Sequence, residues 1–528
     1  QMTQITLQAI SKVQGTKDQK HVLDDAKLEE AVAKYHVGSI LNVFDVAHDI
    51  PYWHEILTKI HTVTAEKTKL KIPVIYGIDA IHGATYTKGA TLFPQSLGTA
   101  STWNREMAKT VGDVTALEAA ASGIHWNFNP VMDLGRQLLW PRLWETYGED
   151  VYLAQQLGGA YLDGSHHNPV LPPGSFVTCL KHYIGYSFPF NGLDRTPAYM
   201  SERTLREYFL PPFEAGIKAG AKTVMVNSGE IDGVPGHANY HLLTEILKDE
   251  LKFDGFVVSD WEDIKRLHTR DKVADSPKEA VRLAVMAGVD MSMVPYDFTF
   301  YEYVVELAKE GKIPMSRIDD AVRRILRVKM NAGMFENAMP DKNLQKYFAS
   351  DENRKKNLEA ATESYILLKN NNNVLPIAKD KKVLVTGPAA NLLSVLNGGW
   401  TITWQGNEES LYPAEKNTIL EAITAKLPKG NVQYVEGCTF DKETNSAEAV
   451  KKAKSSDVVI LCLGEPTYTE TPGNIYDLTL PDAQIEYAKK LMAAGKKVVV
   501  VLIQGRPRVL NSVADADGIL LGFLPGME

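Results

Sequence analysis

Short apolar runs alternate with amphipathic stretches over the first 330 or so residues. The strand-like runs are VGSILNV (37–43), IPVIYGID (72–79), IHWNFNPVMD (124–133), FVTCLKHY (176–183), AKTVMVNS (221–228), FDGFVVSD (253–260) and GVDMSMV (288–294). Between them lie segments with helical spacing of apolar positions, such as REMAKTVGDVTALEAAAS and SERTLREYFLPPFEAGIKAG. Repeated βα units whose strands are apolar on both faces predict a parallel sheet covered by helices. Seven or more such units at this length favour a (β/α)8 barrel over an open nucleotide-binding sheet. Several runs end on or beside polar residues: Asp79, Asp133, Lys181 with His182, Asn227 with Ser228, and Asp260. Five polar endings on one set of strand ends describe the rim of an active site. The run FDGFVVSDW is the most informative, because a buried strand delivers a carboxylate, Asp260, directly followed by an aromatic, Trp261, on which a sugar ring could stack. The plain alternative is that Asp260 caps the helix that follows.

The segment DDAVRRILRVKMNAGMF reads as a barrel-closing helix with Gly333 as its C-terminal stop. These patterns predict a barrel over 1–335, a polar connector over 336–360 and a second α/β unit over 361–528. The second unit's strands are expected at 382–388, 431–437, 458–464, 497–505 and 518–525. Within it, VLVTGPAAN lacks the spaced glycines of a nucleotide fingerprint and reads as an ordinary βα turn.

Composition narrows the partners. The 57 basic and 65 acidic side chains leave a formal net charge of −8, with no basic stripe to neutralise phosphates, which argues against nucleic acid and anionic membrane surfaces. Clusters such as Arg354-Lys355-Lys356 and Lys451-Lys452-Lys454 fall on helical stretches and read as solvated faces. Cys179, Cys438 and Cys462 form no metal or redox spacing. His166-His167, in a turn-like stretch, reads as solvated rather than metal-binding. No cofactor is expected, and no segment approaches the apolar length of a membrane span. The chain starts at Gln1 without an apolar leader, so targeting information is missing rather than negative.

Seven ordered motifs resemble glycoside hydrolase family 3, in particular its two-domain exo-acting β-glucan glucohydrolases and β-glucosidases. They are YGIDAIHG (76–83), RLWETYGED (142–150), LKHY (180–183), MSERTLREYFLPPF (200–213), GFVVSDW (255–261), GGWTITWQG (398–406) and GEPTYTETPG (464–473). The resemblance covers nearly the whole chain and implies a (β/α)8-type barrel followed by an α/β sandwich, with the sugar bound between them. It makes Asp260 the nucleophile and Glu470 the acid/base. It assigns sugar binding to Asp79, Arg142, Lys181, His182, Met225 and Arg266, and a clamp on the next sugar to Trp261 and Trp404. It further implies a β-linked glucose oligosaccharide as substrate and a secreted or periplasmic location. The family's arginine-rich DPRWGR stretch is QLLWPR (137–142) here, keeping only Trp140 and Arg142 in place. The chain ends at GFLPGME where relatives continue, which leaves open an incomplete C-terminal part of the second domain.

The chemistry also stands on its own terms. A retaining glycosidase needs two carboxyl groups about 5–5.5 Å apart, one ionised and one protonated. Asp260 and Glu470 are far apart in sequence, so only a domain interface could join them, and ligand sites favour such interfaces. Lys181 and Arg142 would keep Asp260 ionised, whereas Glu470 needs burial or repulsion to keep its proton. On a bland reading, Lys181 and Arg142 pair with Asp79 and Asp133 as rim ion pairs, and Trp400 belongs to the interface core. Glu465, five residues before Glu470, competes with it as the acid. An N-acetylhexosaminidase is disfavoured, since no His follows His182 until His237. A β-xylosidase or arabinosidase is the runner-up enzyme, and a non-catalytic glycan-binding protein the alternative from another class.

Overall fold

The computed structural model describes residues 1–16, 19–43 and 46–528. Eight parallel strands form the first domain: β1 Thr3–Thr6, β2 Ser39–Leu41, β3 Ile75–Ile78, β4 Trp126–Asn127, β5 Val177–Tyr183, β6 Thr223–Val226, β7 Phe256–Val258 and β8 Ser292–Met293. Sequential strands pair from β2 to β7, and β1 joins β2 to β8. A parallel bridge between Val258 and Met291 brings β7 beside β8 and completes the ring. Phe256, Val257 and Val258 are fully buried, as a strand covered on both faces requires.

Seven of these strands lie within the expected runs, though they are shorter. In 124–133 the strand proper is only Trp126–Asn127; Val131 makes an isolated parallel bridge to Lys181, and Asp133 just beyond it is buried. The eighth strand, β1, is absent from the sequence reading because TQIT is mostly polar. Its Gln4 is nevertheless fully buried and donates from Nε2 to Ser39 Oγ at 2.8 Å. Side chains that satisfy one another inside a barrel imitate a loop in sequence.

The covering helices start where the sequence supplies caps: Asp49 before Ile50–Lys67, Asn104 before Arg105–Ala121 and Asp150 before Val151–His166. The last two helices pack at close range. A Cβ at Gly112 would stand 2.0 Å from Tyr161 O, and one at Gly164 2.0 Å from Lys109 O, so both positions need glycine. His166 ends this helix instead of sitting in a turn. It is half-buried, with Nε2 2.8 Å from Thr178 Oγ1, which corrects the solvated reading. The helix Met315–Asn331 closes the domain, and Gly333 follows with φ 69°.

The second domain is a six-stranded sheet built from β9 Ile366–Asn370, β10 Val383–Thr386, β11 Val432–Val435, β12 Val458–Gly464, β13 Lys497–Ile503 and β14 Gly518–Phe523. Its order is β9-β14-β13-β12-β10-β11, with β9 antiparallel at one edge. β9 has no counterpart among the expected strands, because an edge strand of half-exposed residues lacks a buried apolar run. After β10 the chain turns through Gly387 (φ 99°) into the one-turn helix Ser394–Asn397.

The connector is anchored rather than loose. Its helix Asp351–Ser364 runs across the expected boundary at 361. At the start of that helix, buried Glu118 of the barrel accepts from Ala349 N (2.9 Å) and Asn353 Nδ2 (3.0 Å) through Oε1, and from Thr91 N (2.8 Å) through Oε2. The segment around Leu524 also lies in the seam, where Leu524 O accepts from Gln95 N and Met527 N donates to Leu92 O, both at 3.0 Å. Replacing Glu118 by Ala removes the acceptor of four hydrogen bonds, from Thr91 N, Thr91 Oγ1, Asn353 Nδ2 and Ala349 N. The Glu118→Ala variant is expected to lose about 3 kcal/mol of stability, read as a lower midpoint of urea-induced unfolding.

Candidate active site

A cavity of about 430 Å³ opens at the C-terminal ends of the barrel strands and is completed by loops of the second domain. Asp260, Glu470, Asp79, Arg142, Lys181, His182, Met225, Trp261, Arg266 and Trp404 all line it. Asp79, Lys181, His182, Met225, Asp260 and Trp261 lie at or just beyond strand ends, where side chains leave the packed interior and face the mouth, whereas Arg142 comes from the loop after β4 and Arg266 from the helix Asp263–Thr269. Glu470, Trp400 and Trp404 come from the loops after β12 and β10.

Asp260 sits just beyond β7. Its backbone N–H donates to His237 Nε2 at 3.0 Å, which assigns His237 the neutral Nδ1–H form; burial holds that ring below the ordinary histidine range. Trp261 N donates to Asp260 Oδ1 at 2.5 Å, while Oδ2 is buried with no hydrogen-bond partner among the described residues. One carboxylate oxygen is thus oriented by the backbone and the other left free.

Glu470 Oε1 accepts from Arg142 Nη1 at 3.2 Å and from Arg195 Nη2 at 3.0 Å. Burial raises this carboxyl above the ordinary range; the charges of Arg195 and Arg142 pull it down, and those of Asp194 and Asp260 push it up. Its backbone stands at φ 55°, ψ −150°, a region that costs a non-glycine residue about 1–3 kcal/mol and persists only where surrounding contacts impose it. Glu465, the competing candidate, does not line this cavity. It is buried outside the cavity between Arg506 Nε (3.1 Å) and Arg508 Nη1 (3.0 Å).

The remaining polar groups are pre-paired. Lys181 Nζ donates to Asp79 Oδ1 at 2.7 Å, and Asn42 Nδ2 approaches Asp79 Oδ2 at 3.3 Å. Arg142 does not meet Asp133, as the bland reading had it. Its Nε and Nη2 fork onto Glu145, both at 2.8 Å. Asp133 instead accepts from His182 N (2.9 Å) and His182 Nδ1 (2.8 Å), both on Oδ2. Burial pushes Asp133 up to about 8, against the His182 N–H and the charge of Arg142, and burial with nearby Arg142 and Lys181 holds His182 well below the histidine range. With the ring neutral and Nδ1–H donating to Asp133, His182 Nε2 is left as an acceptor.

Three participants escaped the sequence reading. Arg195 lies in the loop after β5, bonds Glu470 and stands 3.7 Å from Asp263, whose other oxygen accepts from Arg266 Nη1 at 2.8 Å. Its only signal was a charged pair, Asp194-Arg195, in a loop without periodicity. Glu145 was legible in part, since it stands three residues after Arg142. Trp400 is buried at the interface as expected, yet its ring also lines the cavity, 5.5 Å from Lys181 Nζ and 5.8 Å from the Arg142 guanidinium. At the mouth, Trp404 is 41% exposed, and Trp261 meets exposed Tyr296 edge-on at 5.9 Å. Among the described residues no cluster of three or more His, Cys, Asp or Glu is arranged to hold a metal ion, and no helix is long and apolar enough to cross a membrane.

Two carboxyl groups facing one cavity between a (β/α)8 barrel and an α/β domain, with arginines, a lysine and tryptophans around them, define a site built for a polyhydroxylated ring. The family models "Glycosyl hydrolase family 3 N terminal domain" and "Glycosyl hydrolase family 3 C-terminal domain" match residues 3–328 and 365–528. The chain belongs to glycosyl hydrolase family 3. It is similar to a lysosomal beta glucosidase of Dictyostelium discoideum, 40% identical over 100% of this chain and 67% of that protein. It is 33% identical to a periplasmic beta-glucosidase of Salmonella typhimurium, over 87% of this chain and 62% of the relative. The structure of an exo-1,3/1,4-beta-glucanase from Pseudoalteromonas superposes with a TM-score of 0.85 at 30% identity, covering 100% of this chain and 65% of that one. The chain therefore spans about two thirds of the length of these relatives.

If Asp133 works as a protonated acid, an amide can replace it. Asp133→Asn is expected to keep glucose affinity within about 3-fold, whereas Asp133→Ala, which releases His182, should weaken it about 10-fold, roughly 1.4 kcal/mol, as measured by calorimetric titration with glucose.

Proposed function

We propose that this glycoside hydrolase is a retaining exo-β-glucosidase that removes single terminal β-D-glucosyl residues from the non-reducing ends of β-linked oligosaccharides or β-glucans. The observation that carries the reading is the free, buried Oδ2 of Asp260 facing the same cavity as a carboxyl, Glu470, that burial holds toward its protonated form. Asp260 Oδ2 attacks the anomeric carbon while Glu470 gives its proton to the departing glycosidic oxygen, leaving a glycosyl ester on Asp260. Glu470, now ionised, takes a proton from water, which attacks the same carbon and releases glucose with its configuration retained. Asp79 with Lys181, the Arg142 fork, His182 and Arg266 bind the ring hydroxyls, where excluded water makes charged hydrogen bonds strong. Met225 supports the ring, and Trp261 and Trp404 hold the next sugar.

In this reading residues 1–335 supply the nucleophile and the sugar pocket, 336–360 connect, and 361–528 supply the acid/base. The working compartment is secreted or periplasmic, a placement supported by the periplasmic relative. The exo mode is supported by the similarity to the exo-glucanase.

The direct test is incubation with an activated 2-deoxy-2-fluoro-β-glucoside followed by intact-mass analysis and peptide mapping. A stable adduct on the peptide holding Asp260 is expected. Release of the leaving group with the adduct elsewhere would remove Asp260 as nucleophile, and trapping by the matching xyloside alone would move the specificity to xylose.

Glu470 must carry its proton to act, so kcat/KM should fall as pH rises through its elevated pKa. Glu470→Gln cannot titrate. Its residual activity on a dinitrophenyl glucoside is expected to lose that alkaline limb, and azide should restore turnover by attacking the glycosyl-enzyme. Trp404→Ala should raise KM for oligosaccharides about 10-fold while leaving that for an aryl glucoside nearly unchanged, as steady-state kinetics on the two substrates would show.

A further inference from the structure

Arg506 follows β13 and does not line the cavity, yet its contacts converge on the loop that carries Glu470. The side chain is 1% exposed. Nε donates to Glu465 Oε1 at 3.1 Å and to Tyr468 Oη at 2.8 Å, and Nη2 donates to Gly473 O at 2.6 Å. Its guanidinium lies 4.4 Å from the Tyr468 ring centroid. The remaining nitrogen, Nη1, leaves the domain and donates to Leu139 O of the barrel at 2.6 Å. One guanidinium therefore grips the loop near its start and at its end, and hooks it to the other domain.

The connection to Glu470 is short. Gly473 N donates to Glu470 O at 2.8 Å, closing the turn whose far side Arg506 holds through Gly473 O. That turn is seated tightly, since a Cβ on Gly473 would stand 2.3 Å from Tyr468 Cδ2 and 2.9 Å from Pro141 Cβ. Thr469, just before the acid, is pinned separately by Gln405 (Oε1 from Thr469 N, 3.1 Å) and by Glu145 (Oε1 from Thr469 Oγ1, 3.2 Å). A left-handed backbone at a non-glycine residue needs such outside constraint.

We propose that Arg506 is a positioning residue that seats the acid/base loop on the barrel and so sets the reach of Glu470 to the departing oxygen. The proposal rests on Glu470 being the acid. A planar guanidinium is required because four acceptors lie around it in different directions, which a lysine ammonium cannot serve together. A residue that merely glued the domains together would change stability, or lower activity on all substrates alike. A residue that positions the acid changes only reactions that need a proton.

The experiment compares kcat/KM, which reports glycosylation, for 2,4-dinitrophenyl β-glucoside, whose leaving group needs no proton, and for a β-linked glucose disaccharide, whose leaving group does. Arg506→Lys is expected to lose less than about 3-fold on the first and about 30-fold on the second, a share of the 10²–10⁴ that general acid catalysis contributes. Tyr468→Phe, which removes the hydroxyl joining Arg506 to Glu465, should show the same split at about 5-fold and provides the test if the lysine variant does not fold. Glu470→Gln should show the largest split. Equal losses on both substrates in the folded Arg506 and Tyr468 variants, beside a split in Glu470→Gln, would overturn the role of Arg506. Absence of a split in Glu470→Gln would overturn the acid assignment itself and the proposal with it.

Discussion

A carboxyl group of the second domain is held at the mouth of the first by two arginines that belong to the barrel. Arg142 is almost completely buried and cannot go unpaired in that environment; it forks onto Glu145 and extends its third nitrogen to Glu470. Arg195 reaches the same oxygen from the loop after β5. An unpaired buried charge is costly enough that this junction couples two events, domain docking and site assembly, that would otherwise be separate. With the domains apart, Glu470 would ionise in water and Arg142 would keep only Glu145. With them together, the cavity and the buried pairing of Glu470 with both arginines exist at once.

The two carboxyl groups are distinguished by their surroundings rather than by their kind. Asp260 receives a backbone N–H on one oxygen and presents the other bare, within a mouth that carries Lys181, Arg142 and Arg195. Glu470 is desolvated at the seam, where the negative neighbours Asp194 and Asp260 offset part of what the arginines do. Such divergence is what assigns different protonation states to paired acids. A further layer outside the cavity lining keeps these groups in place: Asp133 behind His182, Glu145 behind Arg142, His237 behind the backbone of Asp260.

Much of this was legible in the residues. Buried strands announce themselves by continuous apolar runs, and seven of the eight barrel strands lie in such runs. β1 and β9 were not visible, the first because most of its buried side chains are polar, the second because an edge strand needs no apolar face. The ordered motifs hold eight of the ten anticipated residues, all but Met225 and Arg266, and all ten line one cavity. Motifs did not reveal that Arg142 pairs with Glu145 instead of Asp133, nor that Arg195 is the second cation on Glu470, because pairing partners depend on loops that carry no period.

The sequence by itself determined the alternation of strands and helices, the placing of polar residues at strand ends, the two-domain order and the family. These follow from local rules: side-chain period, caps at helix starts, and motif chemistry read in order. Only the tertiary structure decided which charges meet. Lys181 with Asp79, His182 with Asp133, and Glu470 between Arg142 and Arg195 join residues 102, 49, 328 and 275 positions apart. Contacts at such separations are set by how the barrel closes and the second domain docks, and the free energy of pairing buried charges is what selects among them.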